Sequence, residues 1–388
     1  MAFSNRIPEE LGPNEYFKSL ESVPSSDLID LTVSNPSRCG FRYPEALSKV
    51  LARPENLDYE PDPRGTETAR KALAEYLSTA DDPVDAGDLF LTASTSEAYS
   101  LLFRLLADPG QDVHIPLPGY PLLEHLARLD GIRVLPYRLR REPGWPLDRE
   151  SLERRISEQS RVLVTISPHN PTGTWFDGKT MEGLIERCAR SGMALVSDEV
   201  FRDYAEGVLP GFPKDPGILT FRLGGLSKTL GLPGWKLSWI RMGGPTDLLR
   251  EARERLEFAA DAYLSVNTPV QAALRDILAL APGMTEMIRN RVRGNRKLLE
   301  GYGWKGVGLK VWPAQGGWYG LLELPDQGVD DESVASGLIL KASLAVHPGS
   351  FYEMEGDFLV VSLLGEPEEF QEGLKRLDQA LPAILKAG

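Results

Sequence analysis

Seven short apolar runs between residues 89 and 242 constrain the fold of this chain more than any other feature. They alternate with loops and with stretches of helical spacing. Near-continuous apolar runs that alternate with helices are typical of parallel strands covered on both faces. We therefore predict one doubly wound α/β domain over residues 46–265. The runs are LFLTA (89–93), DVHIPL (112–117), IRVLPYRL (132–139), RVLVTIS (161–167), MALVSD (193–198), ILTFRL (218–223) and KLSWIRM (236–242).

The two ends of the chain have a different pattern. Residues 1–45 are rich in Pro, Ser and Asn and predict an irregular N-terminal arm. Residues 266–388 combine helix-rich stretches with two strand-like segments, GWYGLLELP (317–325) and FLVVSLLG (358–365). This mixture predicts a smaller α+β domain, made of residues 266–388 together with part of the arm. A length of 388 residues suits about two to three domains.

Charge and cysteine usage argue against several classes of protein. The formal net charge is −13, which disfavours nucleic acid or an anionic membrane as the main partner. The two cysteines, Cys39 and Cys188, and the four histidines are far apart in sequence, so we predict neither a metal site nor a disulfide framework. The sequence has no signal-peptide pattern and no apolar run of about 18 residues, so the predicted location is the cytoplasm.

Polar residues collect where the predicted strands end, and the ligands of open α/β sheets bind at the carboxyl ends of strands. Ser94, Thr95 and Ser96 follow LFLTA at the predicted N-terminus of a helix. Free backbone N–H groups, hydroxyls and the positive end of the helix dipole make a site suited to a phosphate. The alternative is that these residues only cap the helix, as Ser and Thr commonly do.

Three more polar residues follow later strands of the same pattern. Asn170 lies in the turn SPHNPTG after RVLVTIS, Asp198 ends MALVSD, and Lys228 follows ILTFRL and a Gly-Gly pair. A charged group at the end of an apolar strand must be paired or solvated. Each residue alone also has an ordinary explanation, as part of a loop turn, as a helix N-cap or as a surface lysine. Their order along the chain is more informative than any one of them.

The segments SPHNPTG, SDEVF and GLSKTLGLPGWKLSW, in this order and at these separations, resemble the fold type I aminotransferases of class I/II, which depend on pyridoxal phosphate (PLP). The resemblance covers nearly the whole chain. It implies an α/β fold, with a large doubly wound, mostly parallel-sheet domain and a smaller α+β domain. It also implies that Lys228 forms the Schiff base with PLP and shuttles the proton, that Asp198 keeps the pyridine nitrogen protonated, and that Asn170 binds the phenolic oxygen.

The same resemblance implies further contacts to the cofactor. Tyr120 stacks on the face of the PLP ring. Tyr59 reaches the phosphate of the cofactor in the neighbouring subunit, so the resemblance also implies a homodimer with active sites at the interface. The remaining phosphate contacts come from hydroxyls, a backbone and one cation, at Ser94, Thr95, Ser96, Ser227 and Lys236.

Three positions depart from the pattern of the family. Phe201 replaces a tyrosine that donates to the phenolic oxygen of PLP, so one hydrogen bond is lost. Lys236 replaces an arginine, which keeps the charge but not the bidentate fork on the phosphate. Val360 stands where the family has the arginine that holds the α-carboxylate of the substrate.

The loss of that arginine leaves the substrate contacts open. A transaminase needs some cation or donor for the α-carboxylate of its substrate. Arg38, in SNPSRCG, is our first candidate, and Arg64 and Arg202 are the others. Trp318, in GGWYG, either lines the substrate pocket or packs in the core.

The predicted function is that of an aminotransferase, which moves an amino group from an amino acid to a 2-oxo acid. Val360 keeps three alternatives open on the same scaffold: a C–S β-lyase, a decarboxylase, and a transaminase of amines without an α-carboxylate. A non-catalytic PLP-binding regulatory module is less favoured. No basic, helix-turn-helix-like segment precedes residue 45, and Lys228, Asp198 and Asn170 are all present.

Overall fold

The computed structural model of the protein describes residues 3–9, 12–213, 216–304 and 308–386. The outer limits of the predicted domains, residues 1 and 388, lie outside these ranges. Within them the α-helices are α1 (Glu15–Ser22), α2 (Ala46–Val50), α3 (Glu67–Leu77), α4 (Thr95–Leu106), α5 (Leu122–Asp130), α6 (Arg149–Glu153), α7 (Gly178–Ser191), α8 (Leu226–Thr229), α9 (Thr246–Asp261), α10 (Thr268–Ala279), α11 (Ala281–Gly301), α12 (Asp331–Ala342) and α13 (Pro367–Leu385).

The strands of the described residues are short, and most are bounded by turns. They are β1 (Ile29–Asp30), β2 (Leu89–Thr92), β3 (Asp112–His114), β4 (Pro116–Leu117), β5 (Arg133–Val134), β6 (Tyr137–Arg138), β7 (Ser160–Ile166), β8 (Ala194–Asp198), β9 (Thr220–Gly225), β10 (Ser238–Gly243), β11 (Lys310–Trp312), β12 (Tyr319–Glu323), β13 (Leu344–Ala345), β14 (His347–Pro348) and β15 (Phe358–Ser362).

A seven-stranded sheet in the order β2-β10-β9-β8-β7-β3-β5 forms the centre of the molecule. Each of its strands comes from one of the seven apolar runs. Strand β10 is antiparallel to both of its neighbours, and the other adjacent pairs are parallel. The predicted mostly parallel sheet is therefore confirmed.

Two of the apolar runs are interrupted by proline. The run 112–117 divides into β3 and β4, and the run 132–139 divides into β5 and β6. Proline has no backbone N–H to donate to a neighbouring strand. The residues on either side of Pro136 do donate, from Leu135 to the Val113 carbonyl and from Tyr137 to the Ile115 carbonyl, both at 2.9 Å. Only β3 and β5 stay in the central sheet, while β4 and β6 pair with each other.

The central strands are buried on both faces. Val162 and Val164 of β7 belong to one apolar cluster, whereas Leu163 between them belongs to another. Alternate side chains of a strand point to opposite faces, so the two clusters are the two layers of helix packing. All three side chains are fully buried. Burial of each stabilises the fold by about 1.5–3 kcal/mol, and together they hold β7 in the interior of the sheet.

A second, antiparallel sheet in the order β11-β12-β15-β14 lies in the C-terminal third of the chain. The N-terminal arm joins this region, because β1 pairs in parallel with β13. The Ser362 N–H on β15 also donates to the Leu31 carbonyl at 2.6 Å. These contacts suit the predicted division at residues 46 and 265, which remains a prediction.

We find no helix, among the parts of the chain that the structure describes, with both the length and the apolar character needed to cross a membrane.

Candidate active site

The ends of three adjacent strands bring together three of the residues predicted from the sequence. In the sheet register Asp198, the last residue of β8, lies between Ile166 of β7 and Leu223 of β9. Asn170 follows β7 by four residues, and Lys228 lies in the short helix α8 just after β9. Their side chains remain partly accessible although the strands beneath them are buried. They therefore line an open cleft at the carboxyl edge of the sheet.

Asp198 is held by two hydrogen bonds. The Tyr99 hydroxyl donates to its Oδ2 at 2.9 Å, and the Val200 N–H donates to its Oδ1 at 3.1 Å. Burial nevertheless raises the pKa of Asp198 to about 6, because these bonds and the amine of Lys228 offset only part of the desolvation. A carboxylate in this state gains strongly from any cation placed against it.

Lys228 is placed by a close approach between β9 and β10. A Cβ on Gly224 would overlap the ring of Trp239, and a Cβ on Gly225 would overlap the side chain of Ser238. Only glycine therefore fits at these two positions before Lys228. Burial lowers the pKa of the Lys228 amine to about 8, and Asp198 acts in the opposite direction. A substantial share of the amine is thus neutral in mildly alkaline solution, as a nucleophile requires.

Aromatic rings form a wall beside this amine. The Lys228 Nζ lies 4.9 Å from the ring centroid of Trp318 and 5.4 Å from that of Phe201. The Phe201 and Trp318 rings meet edge to face, with their centroids 5.3 Å apart. The Tyr204 ring also meets Trp318 edge to face, with a centroid distance of 5.0 Å. Trp318 is fully buried, and its indole N–H has no partner in the described residues. Trp318 is thus buried and lies beside the Lys228 amine, and its contact with a substrate remains a prediction.

The predicted phosphate residues meet at one edge of the sheet. Thr92 of β2 and Gly225 of β9 are both aligned with Ser238 of β10. The predicted residues lie within two residues of these three aligned positions along the chain or in the helix that follows. They are Ser94, Thr95, Ser96, Ser227 and Lys236.

Ser94 also has a structural role, as the N-cap of α4. Its hydroxyl caps α4 by accepting from the Glu97 N–H at 3.1 Å, and the Glu97 carboxylate accepts from the Ala93 N–H at 2.6 Å. Thr95 and Ser96 occupy the first turn of α4, where unpaired N–H groups favour an anion. Lys236 is exposed, with a positive φ of 50°, at the end of the turn Pro233–Trp235.

The other predicted residues are exposed or have partners of their own. Tyr120 precedes α5 and is 51% exposed, and Tyr59 is 69% exposed. Arg38 is exposed at the end of the turn Pro36–Arg38. Two arginines have partners elsewhere: Arg64 lies over the Phe90 ring, and Arg202 pairs with Glu199 at 3.1 Å.

Val360 is 1% exposed in β15, so the position of the missing arginine is part of the apolar core.

Two functional candidates were missed from the sequence, Tyr99 and Tyr319. Tyr99 lies on the buried face of α4, and a phenol on a buried face needs a hydrogen-bond partner. That requirement was a usable signal, although it does not identify Asp198 as the partner. Tyr319 directly follows Trp318 and is buried beside Phe201.

The residues of this cleft fit PLP. The Asn170 Oδ1 is buried without a partner in the described residues, and the amide N–H of the same side chain is a donor suited to a ligand oxygen. The poorly solvated Asp198 carboxylate suits a protonated ring nitrogen, and the first turn of α4 suits a phosphate. The aromatic wall and the Lys228 amine suit a flat, electrophilic ring between these groups.

Replacing Tyr99 with phenylalanine should weaken PLP binding in mildly acidic solution. The Tyr99 hydrogen bond lowers the pKa of Asp198, so its loss raises that pKa and protonates the carboxyl at higher pH. Affinity for PLP should fall as the pH is lowered through the pKa of Asp198. We expect the midpoint of this fall to lie about one pH unit higher in the variant than in the unmodified protein. Titration of the apoprotein with PLP, followed by tryptophan fluorescence, measures this. Tyr137→Phe is the control, because its hydroxyl donates instead to the Val164 carbonyl, and an equal shift in both variants would contradict the assignment.

The chain is similar in sequence to known proteins. The model of the family described as aminotransferase class I and II matches residues 26–377. The tyrosine aminotransferase of Homo sapiens is 31% identical over 271 residues, which are 67% of this chain and 59% of that protein. The alanine aminotransferase of Mycobacterium bovis is 26% identical over 373 residues, 91% of this chain and 85% of that protein. The chain thus spans less than two thirds of the human relative's length.

The fold is also that of a solved structure. The alanine aminotransferase from Pyrococcus furiosus superposes with a TM-score of 0.85 at 23% identity, over 96% of this chain and 95% of that chain. The predicted resemblance and the predicted α/β fold of type I are therefore confirmed.

Proposed function

The chain belongs to the aminotransferase class I and II family, and from this premise we propose that it is a PLP-dependent aminotransferase that moves an amino group from an amino acid to a 2-oxo acid. The single observation that carries the proposal is the Lys228 amine, whose pKa burial lowers to about 8, beside Asp198 and an aromatic wall. PLP bound here supplies an electron-accepting ring that stabilises negative charge on the α-carbon of the substrate.

Each of the three central residues has one task in this proposal. The Lys228 Nζ, whose pKa burial lowers to about 8, accepts the proton from the substrate α-carbon in its neutral form and later returns it. Asp198 Oδ2, oriented by Tyr99, holds a proton on the nitrogen of the cofactor ring. The Asn170 amide N–H donates to the phenolic oxygen of the cofactor, while its buried Oδ1 has no donor among the described residues.

The remaining predicted contacts hold the cofactor in place. Tyr120 would stack on its ring, and Phe201 packs beside Lys228 without a hydrogen bond to donate. The phosphate would be held at the start of α4 and beside α8, by Ser94, Thr95, Ser96, Ser227 and Lys236.

We also propose a homodimer and a cytoplasmic location. The exposure of Tyr59 and of its neighbour Leu57, 69% and 91%, suits a segment that a second copy covers, with Tyr59 reaching the other subunit's site. Cys39 and Cys188 are both buried free thiols, which suits a reducing compartment.

A screen of single half-reactions tests the proposed function. The PLP-loaded protein is mixed with each common amino acid, and the absorbance of the bound cofactor and the products are followed. We expect at least one amino acid to bleach the visible band with release of one 2-oxo acid per site, and a 2-oxo acid to restore it. Release of pyruvate with ammonia would support a β-lyase, and release of carbon dioxide a decarboxylase. A protein that binds no PLP would reject all of them.

A further inference from the structure

Tyr319 forms part of the wall beside the Lys228 amine. It opens β12 and is only 8% exposed. Its ring meets that of Phe201 edge to face at 6.2 Å, and the Phe201 ring in turn lies 5.4 Å from the Lys228 Nζ. The phenol therefore belongs to the cleft, on the side formed by the smaller sheet.

The N-terminal arm crosses the same side of the cleft. Tyr319 is paired in register with Ser362 of β15, whose N–H donates to the Leu31 carbonyl. A few residues further on, Pro36 packs against Gly231, just beyond α8. The arm thus runs from the smaller sheet to the segment that carries Lys228, and it brings Ser34 to the Tyr319 hydroxyl.

Ser34 and Asn170 are the side chains that act on the Tyr319 hydroxyl, and both act to lower its pKa. Burial acts more strongly in the opposite direction, so the pKa of Tyr319 is raised and the hydroxyl stays protonated.

A phenol has one proton to donate and two lone pairs to accept with. The Ser34 hydroxyl and the Asn170 amide N–H are both able to donate to those lone pairs. The O–H of Tyr319 is then the group that can be donated to an oxygen anion of a ligand in the cleft.

We infer that Tyr319, oriented by Ser34 and Asn170, donates its O–H to the carboxylate of the amino-acid substrate and so fills the role of the arginine absent at Val360. This inference rests on the proposed function. The carboxylate of an amino acid is one bond from the carbon that bears the amine. When that carbon is next to the Lys228 Nζ, its carboxylate is therefore within reach of the adjoining wall.

The surrounding charges favour this assignment. Val360 offers only an apolar side chain, and Arg64 and Arg202 are bound to other groups. A hydrogen bond from a neutral hydroxyl to a carboxylate is charge-assisted. It is weaker than the paired hydrogen bonds of a guanidinium, but a poorly solvated site strengthens it. The site accordingly selects a monocarboxylate at the reacting carbon by hydrogen bonding and not by a salt bridge.

Matched pairs of amino donors test the inference, because the members differ only in the carboxylate. The pairs are L-alanine with ethylamine and L-phenylalanine with 2-phenylethylamine. For Tyr319→Phe we expect kcat/KM for the amino acids to fall about 10- to 100-fold, mainly through KM. The values for the amines stay as in the unmodified protein, so the preference for the amino acid falls by the same factor. Ser34→Ala should reduce that preference in the same sense but less.

The controls separate this role from a structural one. Tyr137→Phe removes the hydroxyl of another buried tyrosine and should leave the preference unchanged. An equal loss for amino acid and amine in Tyr319→Phe would overturn the inference, since a damaged fold or a lost contact to the cofactor affects both donors. An unchanged preference would overturn it as well. Loss of the preference in Arg38→Ala instead would assign the carboxylate to Arg38.

Failure of the proposed function gives a different result. In that case the unmodified protein, loaded with PLP, reacts with neither member of any pair, and the inference falls with the function. If the unmodified protein reacts with the amino acids while Tyr319→Phe keeps their advantage over the amines, only the inference fails.

Discussion

Replacing Lys228 with alanine is expected to abolish amino transfer, with a loss in kcat of at least about 10³-fold. The residue combines two properties that no neighbour duplicates: an amine whose pKa burial lowers to about 8, and a position 4.9 Å from the Trp318 ring in the cleft. The variant should also lose the visible absorbance that depends on a covalent link to the cofactor. Absorption spectra and single-turnover kinetics of the PLP-loaded protein measure both effects.

An exposed lysine elsewhere gives the matched control. Lys341 lies at the end of α12, on the surface, so that Lys341→Ala removes the same side chain without touching the cleft. Added methylamine should restore part of the activity of Lys228→Ala, because a small amine can enter the space left by the side chain and accept the proton. Full activity in Lys228→Ala without such an amine would refute the assignment of the nucleophile.

The second large effect concerns Asp198, for which we expect opposite changes in activity and in apoprotein stability. Asp198→Asn removes the negative charge beside the cofactor nitrogen, so kcat should fall on the order of 10²-fold or more. The amide can still accept from one of the two donors, because the Tyr99 hydroxyl and the Val200 N–H bind different carboxylate oxygens and the amide keeps one of these oxygens. The size and shape of the side chain are retained, so most of the loss in kcat reports the missing charge.

The gain in apoprotein stability follows from the raised pKa of Asp198. A carboxyl whose pKa is about 6 when folded, and about 4 when unfolded, binds its proton more tightly in the folded state. Its ionisation thus destabilises the apoprotein progressively between about pH 4 and about pH 6, and fully above that. Asp198→Asn should raise the free energy of unfolding by about 1–2 kcal/mol near pH 7, and by almost nothing below about pH 4.

Urea denaturation of the apoprotein at several pH values measures this difference. The two effects together distinguish a functional carboxylate from a structural one, since a structural role would lower stability at neutral pH. A variant that is less stable than the unmodified apoprotein near pH 7 would contradict the assignment. Added PLP should reverse the order, because the charged carboxylate then has a cation to bind.

The central sheet could be predicted because its strands are buried on both faces and therefore consist of unbroken apolar residues. Lys228, Asp198 and Asn170 drew attention because each follows such a strand, but each alone also had an ordinary explanation, and their predicted roles came from the resemblance of the segments that carry them. The direction of β10 could not be predicted, because an apolar run has the same appearance in parallel and antiparallel strands. The breaks beside Pro116 and at Pro136 had a visible signal, because proline lacks a backbone donor.

The partners of the tyrosines in the site could not be predicted from the sequence for a different reason. Tyr99 and Asp198 are separated by 99 residues, and the hydrogen bond between them depends on how α4 packs on the sheet. Tyr319 meets Ser34 and Asn170 only because the smaller sheet, the arm and the turn after β7 converge. Neither the buried phenol nor the serine has an unusual sequence environment, so only the folded chain identifies them.

The pairing of β1 with β13 has a consequence for how this protein could be divided or recombined. A fragment limited to residues 46–265 would retain Lys228 and Asp198 but would lack both Ser34 and Tyr319. The central sheet on its own therefore carries the reactive groups without the side chains that we assign to the choice of substrate. If residues 46–265 were exchanged between relatives, the hybrid protein would receive the reactive groups of the donor. Its substrate specificity would still be set by the two ends of the chain, which come from the recipient.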